Sequence, residues 1–409
     1  MNPTPAGAPR RQVKILHMLN LDTVGGVEEM FHCFVAHPQN AARQEDHALV
    51  TGGRIHQYLQ DQLASHLASI QYAKTWRGLK LPKRPRGIRA AYQSWLVRRL
   101  QPQVGVFWNR LGDLTLLGAL RRCGARAVYY EHGAAWLSPP TEANRRFLQD
   151  VDAIICNSHA AQRVVELRWR CPGTMRVVQY GLRPDLVRGH SRPRSLPTDG
   201  PFRLGVAGRL IPLKGMGIVL HALKDMLRRS DRPVELWIAG VGPLASFLAR
   251  ETKALNLGDS VTFKGCVQDM GSFYQSIDLL VVPSVREPFG LVALEAAAHG
   301  CPTVGSRVDG IPEAVADGKT GVCLEPTLDL AAGLAFGGDA SDFPSQVYDP
   351  EQDKLTEPRF LDPRHLADAV LALLNAPERY ASLSAAALDR VREQFAFSRY
   401  ASELRLALE

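Results

Sequence analysis

The stretch Arg183-Pro-Asp-Leu-Val-Arg-Gly-His-Ser-Arg-Pro-Arg-Ser-Leu-Pro-Thr-Asp-Gly-Pro201 runs directly into Phe202-Arg-Leu-Gly-Val-Ala207, and that junction decides the fold. The first part is dense in Pro, Arg, Gly and Ser, residues that interrupt regular structure, and reads as a linker. The second part is an apolar run of strand length. Upstream, β-branched runs near 13–20, 46–51, 105–109, 126–131, 153–157 and 175–179 alternate with helical patterns. Downstream the series restarts at 202–207, 234–239, 261–264, 279–282, 303–306 and 321–324. Such alternation builds parallel sheets from βαβ units, and a series that stops and restarts predicts two of them. The expected class is α/β, with two Rossmann-like, doubly wound domains facing across a cleft.

The boundaries follow from the same pattern. Residues 1–12 are a polar, Pro-rich lead-in, 13–190 a first domain, 191–201 the linker and 202–395 a second domain. Within the second, 326–363 is acidic and dotted with Gly, Pro and Asp, and is expected as a partly mobile insertion. A last helix, 396–409, is expected to cross back onto the first domain. The full 409 residues exceed what one hydrophobic core supports.

Composition is that of a globular protein, and no apolar run reaches the roughly 20 residues of a membrane span. No signal peptide is evident at the N-terminus. The seven cysteines stand singly, which suits free thiols in a reducing compartment and a cytoplasmic location. The net charge of +8 divides unevenly, +13 over residues 1–190 and −5 over the rest. That asymmetry predicts that the first domain faces an anionic surface.

Three motifs carry chemistry. The strongest is Glu287-Pro-Phe-Gly-Leu-Val-Ala-Leu-Glu295-Ala-Ala-Ala-His-Gly300-Cys-Pro302, which follows an apolar strand and opens a helix near Gly290. A helix start beyond the carboxyl end of a parallel strand offers free N–H groups and a positive dipole end, both suited to a diphosphate. Glu287 and Glu295 are placed to accept hydrogen bonds from sugar and ribose hydroxyls. The plainer reading, solvated surface glutamates, fits poorly with an Ala-rich and otherwise apolar helix. The second motif, Val206-Ala-Gly208-Arg209-Leu-Ile-Pro-Leu-Lys214-Gly215, puts two cations in the loop after a strand, where they would neutralise a diphosphate. The third, Thr23-Val-Gly25-Gly26-Val-Glu28-Glu29, is a diglycine turn before a helix. It reads either as a backbone-lined anion pocket or as a tight connection only.

Together these motifs resemble the family 4 retaining glycosyltransferases of the GT-B fold, glycosyl transferases group 1, from residue 13 to the C-terminal helices. The resemblance implies that Arg209 and Lys214 bind a donor diphosphate and that Glu295 binds ribose. It implies that Glu287 contacts the transferred sugar with the backbone of Phe289, Gly290 and Leu291, and that Gly25 and Gly26 form the first loop. The family's active-site histidine maps onto His132 in Tyr129-Tyr-Glu131-His132-Gly133. A satisfied structural histidine is the competing reading of that residue. One departure is Asp309, in Gly305-Ser-Arg-Val-Asp309-Gly310-Ile-Pro-Glu313, which stands where a second glycine is common and is expected to alter how the chain passes the donor. The insertion 326–363 is the other.

The resemblance implies an enzyme that moves a hexose-type sugar from a nucleotide-diphosphate sugar, with retention, to a glycan or lipid-linked acceptor in surface polysaccharide or lipopolysaccharide assembly. A catalytically silent GT-B binding module and a sugar-nucleotide epimerase are the alternatives. No metal or other cofactor is expected: the acid-x-acid pair Asp150 and Asp152 precedes a strand, at the end opposite to where doubly wound domains bind ligands. The segment 74–99 carries nine Lys and Arg and no acidic residue, interleaved with Trp76, Leu79, Leu81, Ile88, Tyr92, Trp95 and Leu96. This pattern suits peripheral docking on an anionic membrane, with a plain solvated face as the alternative. Nucleic acid is not expected as a partner.

Overall fold

The computed structural model describes residues 14–43, 46–76, 78–82, 86–171, 173–187 and 191–409, and of Arg86 only the backbone. The lead-in 1–12 therefore lies outside the described residues, as do Arg77, Lys83, Arg84, the Arg86 side chain and linker residues 188–190. In chain order the first strands are β1 (Ile15–Met18), β2 (His47–Thr51), β3 (Ser69–Tyr72), β4 (Thr75–Trp76) and β5 (Leu79–Lys80). Next come β6 (Val104–Trp108), β7 (Arg126–Glu131), β8 (Ala153–Cys156) and β9 (Met175–Val177). After the linker follow β10 (Phe202–Ala207), β11 (Val234–Ala239), β12 (Val261–Gly265), β13 (Leu279–Val282), β14 (Thr303–Ser306) and β15 (Gly321–Leu324). A hairpin, β16 (Val347–Asp349) and β17 (Lys354–Thr356), closes the series.

Two parallel sheets result, with orders β3-β2-β1-β6-β7-β8-β9 and β12-β11-β10-β13-β14-β15. Each order reverses beside its first strand, β1 or β10, and a doubly wound sheet opens its ligand crevice at such a switch point. Strands covered on both faces must be apolar throughout, and β2 and β13 are buried at every position. The expected class, two doubly wound α/β domains across a cleft, is the one observed. The strand β3 was not foreseen: Ser-Ile-Gln-Tyr is short and only half-buried at the sheet edge. The segment 74–99, foreseen only as a charged stretch, holds the hairpin of β4 and β5 and the start of the helix Arg86–Leu100.

The segment 326–363 is built rather than loose. It holds the turn Leu330–Gly333 and the β16–β17 hairpin, and it buries Phe343, Phe360 and Leu361 against the second core. The helix Phe397–Leu408 lies on the first sheet, where Arg126 donates to the carbonyls of Ala407 (3.3 Å) and Leu408 (3.1 Å). No helix among the described residues is long and apolar enough to cross a membrane.

Candidate active site in the interdomain cleft

Loops at the carboxyl ends of β1, β7, β10 and β13 meet in a cavity of about 580 Å³ between the domains. All ten residues singled out in the sequence line it: Gly25, Gly26, His132, Arg209, Lys214, Glu287, Phe289, Gly290, Leu291 and Glu295. Phe289 contributes its backbone, since its ring is buried against Tyr180 and Phe395. A second cavity, about 630 Å³ along β9 and the last helix, includes none of those ten.

The first-domain wall is rigid. Gly25 caps the helix Gly26–Ala36, and a Cβ on Gly26 would lie 3.1 Å from Leu291 Cδ1, so the two walls touch there. Beyond β7, the buried Glu131 carboxylate accepts from the N–H groups of Gly133 and Ala135 and from Tyr129 Oη, which fixes the turn carrying His132. His132 stacks between Trp108 (5.4 Å) and Tyr180 (5.5 Å). Burial holds its pKa well below the usual range, so the ring is neutral. Its Nδ1 is hydrogen-bonded to Tyr180 Oη, whereas Nε2 is buried without a partner. Burial keeps the Tyr180 phenol protonated. A Tyr180 phenol that donates to Nδ1 places the imidazole proton on Nε2, and one that accepts from Nδ1–H leaves Nε2 as an acceptor.

The second-domain wall carries the charges. Lys214, on the turn Pro212–Lys214 after β10, is ion-paired with Glu287. Arg209 is exposed on the same loop. Gly290, in the left-handed region at φ 99°, caps the helix Leu291–Ala297. Glu295 accepts from Tyr274 Oη at 2.7 Å and faces Arg183 Nε at 3.4 Å. Burial raises the Glu295 pKa, and Arg183 and Tyr274 pull it back down. Arg183 also reaches Glu29 of the first domain at 3.4 Å, and so holds carboxylates from both sides.

Sequence reasoning missed Arg183, Tyr274 and Arg286. Arg286 lies over the Trp136 ring at 4.9 Å and donates to the Gly133 carbonyl. A Cβ on Gly133, whose φ is 126°, would collide with that guanidinium, so glycine is required there. The adjacent Glu287 was the only available signal for Arg286. The flagged Asp309 accepts from Trp136 Nε1 across the cleft, from the Glu287 N–H and from the Tyr348 N–H.

The acid-x-acid pair has structural partners: Asp150 pairs with Arg121 and Arg146, and Asp152 accepts from the Ala127 N–H. Among the described residues only Glu29, His32 and Cys33 cluster with metal-ligand spacing. They suit a cation poorly. Glu29 is taken by Arg183, and burial pushes the Cys33 thiol up to about 12.

Residues 188–336, from the linker through most of the second domain, match the family described as Glycosyl transferases group 1. The D-inositol 3-phosphate glycosyltransferase 2 of Catenulispora acidiphila is 32% identical over 254 residues, 58% of this chain and 51% of its own. The D-inositol 3-phosphate glycosyltransferase of Mycolicibacterium smegmatis is 34% identical over 234 residues, 53% of this chain and 50% of its own. The chain thus spans about half the length of these curated relatives. HepE of Anabaena, solved with UDP and glucose, superimposes with a TM-score of 0.71 at 17% identity, over 97% of this chain and 99% of its own. WaaG, a glycosyltransferase involved in lipopolysaccharide biosynthesis, superimposes with a TM-score of 0.65 at 15% identity, over 96% of this chain and 99% of its own. The fold is therefore the two-domain GT-B architecture of these solved structures, and residues 188–336, which carry Arg209, Lys214, Glu287 and Glu295, match the model of glycosyl transferases group 1.

Proposed function

We propose that the protein is a retaining, metal-independent glycosyltransferase that moves a hexose-type sugar from a nucleotide-diphosphate sugar to a glycan or lipid-linked acceptor in surface polysaccharide or lipopolysaccharide assembly. The observation that carries this reading is the Lys214–Glu287 pair, set with Arg209 beside the Gly290 helix start and opposite the unpartnered Nε2 of His132. An arriving diphosphate takes Lys214 from Glu287. The lysine, Arg209 and the helix-start N–H groups then neutralise the leaving group. Glu287, freed, accepts from the sugar hydroxyls, while Glu295 accepts from ribose. The acceptor hydroxyl enters on the face that the diphosphate leaves. His132 Nε2–H donates to a donor-sugar hydroxyl or carbonyl and does not attack. Support comes from the match to glycosyl transferases group 1 and from the UDP and glucose bound in HepE.

Two further parts of the proposal concern location. The protein is cytoplasmic, and the exposed Trp76, Leu79, Ile88 and Trp95, with Lys74, Lys80, Arg98 and Arg99, dock it on an anionic membrane surface.

Thermal shift against UDP-, GDP- and ADP-sugars tests the donor site. A bound donor at 100 times its Kd adds about 2.7 kcal/mol of stability, and a panel without any shift sinks the reading. Turnover of the donor so identified persists in excess chelator; loss restored by magnesium or manganese overturns metal independence.

A further inference from the structure

Asp309 lies between β14 and the short helix Ile311–Ala314, 1% exposed and in the left-handed region at φ 47°. Its Oδ1 accepts from Trp136 Nε1 (2.9 Å) and from the Tyr348 N–H (2.7 Å), and its Oδ2 accepts from the Glu287 N–H (3.0 Å). Trp136 is four residues beyond His132 on the first domain, in the turn that Glu131 anchors. Glu287 begins the charged motif of the second domain. Arg286 closes the circuit, with its guanidinium over Trp136 and one N–H on the Gly133 carbonyl. A single carboxylate therefore joins the segment that carries His132 to the segment that carries Glu287, 173 residues apart from Trp136 to Asp309.

Resting on the reading given under Proposed function, we propose that Asp309 is a positioning residue for the transfer reaction, setting the spacing of the His132 and Glu287 walls in the closed cleft. Three features separate this from simple loop packing. The Tyr348 and Glu287 N–H groups are both second-domain partners and would fix the loop by themselves. The Trp136 bond adds a cross-cleft link that the loop does not need. Arg286 sits beside the carboxylate and stabilises its charge, which burial opposes. Transfer is steep in geometry, since a misplacement of about 1 Å between reacting groups costs on the order of 100-fold.

The test uses the whole chain and the nucleotide sugar that the thermal-shift panel identifies. Trp136→Phe removes only the cross-cleft N–H and keeps an aromatic face for Arg286. Asp309→Asn leaves one acceptor oxygen where two are needed, because its amide N–H groups oppose those of Glu287 or of Trp136 and Tyr348. In both variants kcat for donor turnover falls roughly tenfold to a hundredfold, donor Kd stays within threefold, and the double variant is no worse than Asp309→Asn. A kcat within twofold of wild type in both variants overturns the proposal, as does a donor Kd that rises in step with the loss of activity. Where Asp309→Asn fails to fold, Trp136→Phe carries the test. A wild type that turns over no nucleotide sugar fails the functional reading itself, and an active wild type with unaffected variants fails only the role of Asp309.

Discussion

At the residue scale the site depends on a charge held in waiting. Lys214 and Glu287 neutralise each other, with side chains 23% and 11% exposed, until an anion competes for the lysine. On the proposed mechanism Lys214→Ala removes a cation that neutralises the leaving group, and it leaves the Glu287 charge without its partner. Loss of one such stabilising group lowers donor turnover by roughly 10²–10³-fold. A coupled assay for released nucleoside diphosphate reads this directly, and turnover within a factor of two of wild type would remove Lys214 from the mechanism. These residues were legible in the sequence because their chemistry is local: a glycine turn, a cation and a helix start fall within a dozen positions. Arg183 and Arg286 were not legible. Their partners Glu29, Glu295 and Gly133 lie about 110 to 155 positions away, and no spacing rule connects positions that only the folded chain brings together.

At the scale of elements, the linker behaves unlike its composition. Its Pro, Gly and Ser content reads as a hinge, yet Arg194 bolts it to the second domain. That guanidinium donates to the carbonyls of His299 (2.7 Å), Ile277 (2.7 Å) and Tyr274 (2.9 Å), at the C-terminal ends of two helices, Met270–Ser276 and Leu291–Ala297. Hydrogen bonds to a charged donor are stronger than neutral ones, and buried carbonyls left unpaired cost more still. Arg194→Met is expected to cost about 3 kcal/mol, lowering Tm by roughly 6–12 °C for a domain of this size. Calorimetry would show a smaller shift if the linker were free. The strands themselves were readable, since strands covered on both faces must be continuous apolar runs. β3 escaped because an edge strand needs no such run, and the β16–β17 hairpin because its strands are three residues each and send only Val347, Tyr348 and Leu355 toward the cores.

At the scale of the whole molecule, charge and exposed apolar surface coincide. The chain carries no acidic residue from 62 to 112, and within that region Trp76, Leu79, Ile88 and Trp95 are 42–72% exposed. Trp95 stacks on Tyr92 at 5.8 Å with the Arg99 guanidinium 5.3 Å over its ring, so the aromatics are presented together with cations rather than scattered. On the proposed docking two forces add: burial of apolar side chains in the headgroup region, and about 1 kcal/mol per basic residue near an anionic surface. A merely solvated face would offer the charges without the tryptophans. Flotation should therefore find the protein on vesicles containing phosphatidylglycerol and not on neutral phosphatidylcholine, with binding largely lost in 1 M salt, where screening extends over only about 3 Å. The Trp76→Ala/Trp95→Ala double variant should bind the anionic vesicles at least several-fold more weakly at unchanged net charge. That variant separates the two forces: if it floats as well as the wild type, the tryptophans have no part in docking, and if the wild type does not float at all, this face is solvated and the acceptor is reached from solution.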